Sequence, residues 1–226
     1  MKFVIKSFLS KINDLEKAYE QKQRLRELRR VIGKKGFSLL DLGCGDGKLV
    51  KMACGQGIKA VGVDKKQGQN IENYKPACAG KVPYLVNVVS MYHVLEHLDK
   101  PVEVLKKVKG WLKPGGMVAI EVPLVGNFSE KWLGKDYLAY WDKTHVNFWT
   151  KREFLEVVER AGYKVIKKGM VWHQVFFHVI TAKFKSGIGP SLVGVMLWPW
   201  LKLLSIMGFN DEMMRVYLKI TYIKSR

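Results

Sequence analysis

With 226 residues, the chain has room for one α/β domain with appendages but not for two ordinary domains. Apolar residues make up 48% of it, which permits a sizeable core and excludes wholesale disorder. The net charge of +19 fits either an anionic partner, meaning nucleic acid or a membrane surface, or a well-solvated lysine-rich surface.

The N-terminal segment and the cysteines give the expected compartment. Residues 1–10 contain no uninterrupted apolar stretch and no cleavage site, so secretion is not expected. The cysteines (Cys44, Cys54 and Cys78) lack metal-ligand or redox spacing, which favours a reduced, cytoplasmic protein.

An amphipathic helix is predicted over residues 10–32, because apolar residues recur there at three- and four-residue steps before Gly33 and Gly36. The pattern then changes to short apolar runs typical of buried parallel strands, at residues 37–42, 58–64, 85–91 and 117–122. Helices are predicted around these strands, at residues 48–54, 101–112 and 151–161. This alternation predicts an α/β fold with a doubly wound, mostly parallel sheet.

Two last strands, near residues 164–168 and 171–184, are predicted to pair as a hairpin. The predicted main domain spans residues 36–184. An N-terminal helical addition (1–35) precedes it, and an apolar, basic, helical extension (185–226) follows it.

A glycine-rich turn follows the first predicted strand, in the sequence Asp41-Leu-Gly-Cys-Gly-Asp-Gly47. Glycines let the backbone approach a ligand closely, and the next helix presents free N–H groups there. The second strand ends in Asp64, whose carboxylate can accept two hydrogen bonds from ribose hydroxyls. The pair of features predicts a site for a nucleoside-containing cofactor.

The spacing disfavours two common kinds of nucleotide site. A dinucleotide fingerprint needs glycine where this chain has Lys48. A phosphate-binding P-loop needs four residues between its glycines, whereas three separate Gly43 from Gly47, and Leu49 follows Lys48. The remaining pattern, acid-x-Gly-x-Gly-x-Gly, is that of S-adenosylmethionine (SAM) binding.

The motifs together resemble the small class I SAM-dependent methyltransferases of type 11 and type 23. The resemblance covers roughly residues 36–182, and its motifs are Asp41–Gly47, Val61–Asp64, Val94–Leu98, Leu112–Gly116 and Asp142–Thr150. It implies a Rossmann-like fold and SAM as cofactor. Only 20 residues (65–84) separate Asp64 from the next predicted strand, so the family's third strand is expected to be absent or reduced.

The resemblance also implies roles for single residues. Gly43, Cys44 and Gly45 would line the methionine part of SAM, Asp41 would lie near its amino group, and Asp64 would hold the ribose. Residues 113–116 would form the turn into the next strand. The cofactor-binding residues expected on this basis are Asp41, Gly43, Cys44, Gly45, Asp46, Gly47, Asp64, Lys65, Met91, Tyr92 and His93.

His145, with Asp142 three residues earlier, is the candidate general base. Both follow the last parallel strand, at the carboxyl edge where ligands bind in such sheets. A base is needed only if the acceptor must lose a proton during methyl transfer. The alternative is that both residues merely fix the loop.

His93, Glu96 and His97 form the sequence His-x-x-Glu-His. Branches of the resembled family that methylate RNA 2′-hydroxyls or catechol-like hydroxyls hold a divalent metal with Glu-x-x-Glu-His. Here the first position is histidine, so no metal is expected, and His97 is interpreted as a structural histidine. The alternative is a metal held by His93, Glu96 and His97, which His145 could join.

Two aromatic segments bear on the acceptor. Residues 124–150 would be either a lid over an apolar or aromatic acceptor or a satellite core. Residues 186–209 combine an uncharged run with tryptophans beside lysines, which suits either an anionic membrane surface or a packing or dimer contact.

The sequence therefore predicts a SAM-dependent methyltransferase acting on an oxygen or nitrogen of a small or lipid-linked acceptor. The predicted location is cytoplasmic, with peripheral association with a membrane. The alternatives are an RNA methyltransferase and a non-catalytic SAM- or lipid-binding protein.

Overall fold

The computed structural model describes residues 2–33, 36–64, 85–127, 130–131, 134–171 and 213–220. The chain divides into two compact units. The first unit comprises residues 1–91 and 110–119, and the second comprises residues 92–109 and 120–226.

The described residues form four α-helices and six strands. The helices are α1 (Lys2–Ile32), α2 (Lys48–Cys54), α3 (Pro101–Val108) and α4 (Lys151–Arg160). The strands are β1 (Ser38–Leu42), β2 (Lys59–Val63), β3 (Val86–Tyr92), β4 (Leu112–Pro123), β5 (Tyr163–Val171) and β6 (Met213–Ile220).

The six strands form one sheet in the order β2-β1-β3-β4-β6-β5. Strand β1 is parallel to both of its neighbours, and β5 is antiparallel to β6. The predicted α/β class with a mostly parallel sheet is confirmed. All five residues of β1 are buried, as expected of a strand in the middle of a sheet that is covered on both faces.

Helix α1 is longer than predicted, because it begins at Lys2 rather than near residue 10. Leu25 and Leu28 are fully buried, and the helix packs against α2. It ends where predicted. Gly33 has a φ of 67° and donates its N–H to the carbonyl of Arg29, which is a common helix stop that favours glycine.

Two boundaries around β4 differ from the prediction. Helix α3 ends at Val108 and continues only as a short 3₁₀ turn, Lys109–Trp111. The strand begins at Leu112, so residues 113–116 belong to it and are not a separate turn. Gly116 tolerates no side chain there, because a Cβ atom would lie 2.8 Å from the carbonyl oxygen of Lys113.

The strand that pairs with β5 differs more from the prediction than these two boundaries do. The antiparallel partner of β5 is β6, so the prediction of a helical extension is wrong over residues 213–220. Six consecutive residues of β6 are buried, and a nearly continuous apolar run of this length does not distinguish a strand from a buried helix. The hairpin predicted with residues 171–184 lies outside the described residues beyond Val171.

Several other predictions also fall outside the described residues, namely those for residues 65–84 and 186–209. Among the helices that are described, none is long and apolar enough to cross a bilayer. Cys44 is a free thiol.

Helix α4 begins with the predicted cap. The Thr150 side chain accepts a hydrogen bond from the Glu153 N–H, and the Glu153 carboxylate accepts one from the Thr150 N–H at 2.8 Å. We expect Thr150→Ala to lower the free energy of unfolding by about 1 kcal/mol, because helix N–H groups lose their partner. Urea unfolding measures this, with the exposed Lys151→Ala as control. Equal stability of the two variants would contradict the capping role.

Candidate active site

The glycine-rich turn between β1 and α2 is tied to the end of β2. Gly43 and Cys44 both donate their N–H groups to the carbonyl of Val63, at 2.7 and 3.1 Å. The Gly45 N–H donates to the Asp64 carboxylate at 2.7 Å. The chain thus places Asp64 beside the turn predicted to bind the cofactor.

Three glycines of this turn have left-handed backbone angles. The φ values of Gly43, Gly45 and Gly47 are 72°, 56° and 74°. Side chains other than glycine are strained in this region, which explains the glycine spacing in the sequence. Gly62 in β2 is equally constrained, since a Cβ atom there would lie 2.6 Å from the Sγ atom of Cys44.

Asp41 is a buried carboxylate one residue from the end of β1. It is 4% exposed and accepts a 2.6 Å hydrogen bond from the Ser90 hydroxyl on β3. Burial raises its pKa to about 6, although the Ser90 hydrogen bond and the nearby charge of Arg24 act in the opposite direction. At neutral pH the site therefore holds a negative charge in poorly solvated surroundings.

Asp46 and Cys44 have different roles from Asp41. The Asp46 carboxylate accepts a hydrogen bond from the Lys48 N–H at 3.2 Å and lies 3.1 Å from the Lys48 ammonium group. Burial opposes the effect, but these contacts lower the pKa of Asp46. Burial raises the pKa of the Cys44 thiol to about 11, which keeps the thiol protonated at neutral pH.

The other predicted cofactor residues fall into three groups. Met91 is fully buried and pairs with Leu42, the residue before the turn. Tyr92 and His93 belong to the second unit, where the Tyr92 ring lies 5.7 Å from the Arg215 guanidinium. Lys65 lies outside the described residues.

In the second unit, four charged side chains form a buried network. His93 is placed between two carboxylates, 3.3 Å from Glu96 and 3.2 Å from Glu121. Arg215 donates to the other oxygen of Glu121 at 2.6 Å. Both carboxylates are fully buried, whereas the His93 side chain is 31% exposed.

His93 is an imidazolium at neutral pH. Burial lowers its pKa, but the hydrogen bonds to Glu121 and Glu96 outweigh this and raise it to about 9. Its φ of 57° is in the left-handed region, which is unusual for a residue with a side chain. The His93 N–H also donates to the Glu121 carbonyl at 3.0 Å, so three contacts hold this conformation.

Sequence reasoning found His93 and Glu96 but missed Glu121 and Arg215. The only signal was a charged residue inside each of two apolar runs, residues 117–122 and 213–218. A buried charge needs a partner, but the sequence does not say which one when the two are 94 residues apart.

His145 and Asp142, the predicted base and its support, are near each other but not hydrogen-bonded. The His145 Nε2 atom lies 4.0 Å from the Asp142 carboxylate. His145 Nδ1 instead contacts the Ala139 carbonyl at 2.7 Å, and Asp142 accepts hydrogen bonds from the Thr144 hydroxyl and N–H. The roles of His145 as a base and of Asp142 as its support stay predictions.

The predicted alternative metal set of His93, Glu96 and His97 is not the set that the structure brings together. Both nitrogens of the protonated His93 face carboxylates, so neither offers a lone pair. Glu96, His97 and His145 are grouped instead, with one possible ligand atom of each within 4.8 Å of the others.

The aromatic loop, residues 124–150, contains both buried and exposed rings. Tyr137 and Trp149 are buried, and the Tyr137 hydroxyl donates to the Leu124 carbonyl at 2.6 Å, as in a satellite core. Tyr140, Trp141 and Phe148 are each at least 40% exposed. The exposure of these three rings does not test the lid, which stays a prediction.

Comparison with known proteins decides the family. A family model described as a methyltransferase domain matches residues 14–168, which is more than half of the chain. This chain belongs to the methyltransferase domain family. It is a SAM-dependent methyltransferase, as the resemblance implied.

Curated relatives include two bacterial proteins named ubiquinone biosynthesis O-methyltransferase. The protein from Dinoroseobacter shibae is 28% identical over 172 residues, which cover 66% of this chain and 68% of the relative. The protein from Cereibacter sphaeroides is 25% identical over 173 residues, covering 66% and 70%.

Solved structures share the fold at low sequence identity. A SAM-dependent methyltransferase from Archaeoglobus fulgidus is 18% identical with a TM-score of 0.55, covering 88% of this chain and 94% of that one. The 1,6-didemethyltoxoflavin-N1-methyltransferase of Burkholderia thailandensis, solved with S-adenosylhomocysteine, is 14% identical with a TM-score of 0.54, covering 96% and 87%.

Proposed function

We propose that this methyltransferase transfers the methyl group of SAM to an oxygen of a small acceptor. The observation that carries the cofactor part is the placement of two carboxylates at the glycine turn: Asp41 just before it in β1, and Asp64 on the Gly45 N–H. The choice of oxygen and of a small acceptor follows from the names of the curated relatives.

The two carboxylates suit different parts of the cofactor. Asp41 is buried and largely ionised at neutral pH, so the ammonium group of SAM would add a favourable positive charge beside it. Asp64 uses one oxygen for the Gly45 N–H. A carboxylate has about four lone-pair positions, so it accepts ribose hydroxyls as well.

Replacement of Asp64 tests the cofactor site. We expect Asp64→Asn to weaken the binding of S-adenosylhomocysteine by about 10- to 100-fold, because hydrogen bonds to a charged acceptor become neutral ones. Titration calorimetry measures this, with Glu103→Gln on the exposed surface of α3 as control. An unchanged affinity in Asp64→Asn would remove Asp64 from the site.

The acceptor is tested separately with SAM carrying a labelled methyl group. Small hydroxyl compounds, small amines and RNA are offered in parallel, each with and without anionic vesicles. Label on a hydroxyl compound supports the proposal. Label only on amines or RNA contradicts it, and retention of all label on SAM would favour a non-catalytic SAM-binding protein.

Membrane association and lipid-linked acceptors are part of the same proposal. The positive net charge of the chain supports attraction to an anionic surface. Stimulation of methyl transfer by anionic but not by neutral vesicles is the expected result.

A further inference from the structure

We propose that the N-terminal part of α1, residues 2–19, docks on an anionic membrane surface with its apolar side against the lipid. The inference rests on the membrane association proposed above and names the part of the chain responsible for it. It is carried by a change of side within α1. The apolar side of the N-terminal part is not the side through which Leu25 and Leu28 pack against the protein.

Apolar residues follow one side of α1 between residues 4 and 19. Five of them recur at alternating steps of three and four residues, which places them on one side of an α-helix. These five, here called the N-terminal stripe, are Ile5, Phe8, Ile12, Leu15 and Tyr19. Val4 and Leu9 flank the stripe and widen it to about 140° of the helix, at about 100° per residue.

The C-terminal part of α1 packs against the first unit through the opposite side of the helix. Leu25 and Leu28 are 1% and 0% exposed, and α1 contacts α2. Leu28 follows Tyr19 by nine positions, which corresponds to about 180° around an α-helix. Tyr19 is 59% exposed, as this geometry requires. At Tyr19 the N-terminal stripe is therefore on a side of α1 that is open to solvent in the described part of the chain.

The charges of the same segment indicate an anionic partner. Residues 2–13 contain Lys2, Lys6 and Lys11 but no aspartate or glutamate. The amino end of a helix already carries a partial positive charge, so lysines there destabilise an isolated helix and an anionic surface offsets that effect. Helices that combine an apolar stripe with lysines on the other side lie in the interface of anionic bilayers.

A second copy of the chain fits the N-terminal stripe less well. The alternating repeat extends over about two heptads, from Ile5 to Tyr19, whereas a coiled coil is indicated by about three to four. Val4 and Leu9 make the stripe wider than the narrow seam of a coiled coil. A lipid surface accepts the whole width of the stripe and supplies the negative charge as well.

Co-sedimentation with lipid vesicles tests the proposal on the purified full-length chain. One set of vesicles contains phosphatidylcholine alone, and the other also contains the anionic phosphatidylglycerol. We expect the wild type to bind the anionic vesicles at least about tenfold more tightly than the neutral ones. Lys6→Gln combined with Lys11→Gln should weaken binding to the anionic vesicles about tenfold and leave binding to the neutral vesicles unchanged.

Matched insertions of charge separate the apolar stripe from the electrostatic attraction. Phe8→Glu combined with Ile12→Glu places two carboxylates in the stripe, whereas Ser10→Glu combined with Asn13→Glu places two outside it. Both double variants lose the same amount of positive charge. The stripe variant should bind anionic vesicles at least about tenfold more weakly than its control, because two apolar side chains no longer enter the lipid. Equal binding by the two double variants would overturn the proposal.

Two other results would also overturn it. One is the absence of wild-type binding to anionic vesicles. The other is a dimeric wild type that becomes monomeric in the stripe variant without any change in vesicle binding, which would assign the stripe to a second copy. Light scattering after gel filtration measures the mass, and circular dichroism verifies that each variant is folded.

The proposed function is followed separately in the same samples. Affinity for S-adenosylhomocysteine and methyl transfer to a soluble hydroxyl acceptor without vesicles should be the same in the wild type and in all of these variants. A wild type that binds anionic vesicles through the stripe but methylates no hydroxyl compound would refute the proposed function and leave the docking surface standing. Methyl transfer without vesicle binding would do the reverse.

Discussion

Arg215→Met is expected to lower the free energy of unfolding by about 3–5 kcal/mol, because the His93 imidazolium must then compensate two buried carboxylates, Glu96 and Glu121, without the guanidinium. Arg215 is 5% exposed and donates to Glu121 at 2.6 Å, and Glu121 is fully buried. Methionine retains most of the apolar volume, so the loss reports mainly on charge. Urea unfolding of both proteins at pH 7.5 measures it.

Two further variants separate charge from packing. Adding Glu121→Gln to Arg215→Met should recover much of the loss, because the His93 imidazolium then faces one buried carboxylate, Glu96, and the amide oxygen still accepts from His93. Arg152→Met removes an exposed i,i+4 pair with Glu156 on α4 and should change stability by no more than about 0.5 kcal/mol. If Arg215→Met lowered the free energy of unfolding by no more than about 0.5 kcal/mol, a stabilising role of the buried ion-pair network would be contradicted.

The parts of the fold that the sequence predicted are those set by local signals. Strand β1 and helix α2 lie within one residue of their predicted bounds, because the glycine turn separates them and the apolar pattern changes period there. Strand β6 was missed because its position in the sheet depends on pairing with β5, about 50 residues earlier. Nothing near residues 213–220 indicates that pairing.

The candidate site shows the same division. The contact between Asp64 and Gly45 was implied by two motifs that each follow a strand. The neighbours of His93 were not, because Glu121 and Arg215 come from strands that meet only in the folded sheet. The histidine near Glu96 and His97 was likewise not predictable as a neighbour, since His145 is brought there by a loop that returns to Glu96. Val146 and Asn147 both donate N–H groups to the Glu96 carbonyl there.

Asp41→Asn is expected to stabilise the unliganded protein and to weaken its binding of cofactor. Burial raises the pKa of Asp41 from 3.8 to about 6, so the folded state disfavours the ionised carboxylate. This difference corresponds to about 3 kcal/mol at a pH above 6. Asparagine is neutral and still accepts the Ser90 hydrogen bond, so the variant should be more stable at pH 7.5 by up to that amount.

The sign of the pH dependence distinguishes this explanation from a packing effect. The penalty in the wild type diminishes as the pH falls from about 6 towards 4, because the folded state binds a proton at Asp41 in this range that the unfolded state largely lacks. The stabilities of wild type and Asp41→Asn should therefore converge near pH 4. The buried-charge explanation would be contradicted if Asp41→Asn were less stable than the wild type at pH 7.5. It would also be contradicted if the two proteins differed in stability by the same amount at pH 7.5 and pH 4.

Cofactor binding, in contrast to folding, should be favoured by the ionised form of Asp41. The ionised Asp41 is the expected partner of the ammonium group, so Asp41→Asn should bind S-adenosylhomocysteine at least about tenfold more weakly at pH 7.5. Wild-type affinity should fall as the pH drops below about 6, and the affinity of the variant should be independent of pH there. Asp46→Asn, with its side chain 63% exposed, is the matched control for stability. A stabilised variant that binds poorly would show that this carboxylate is retained for the ligand and at the expense of the unliganded fold.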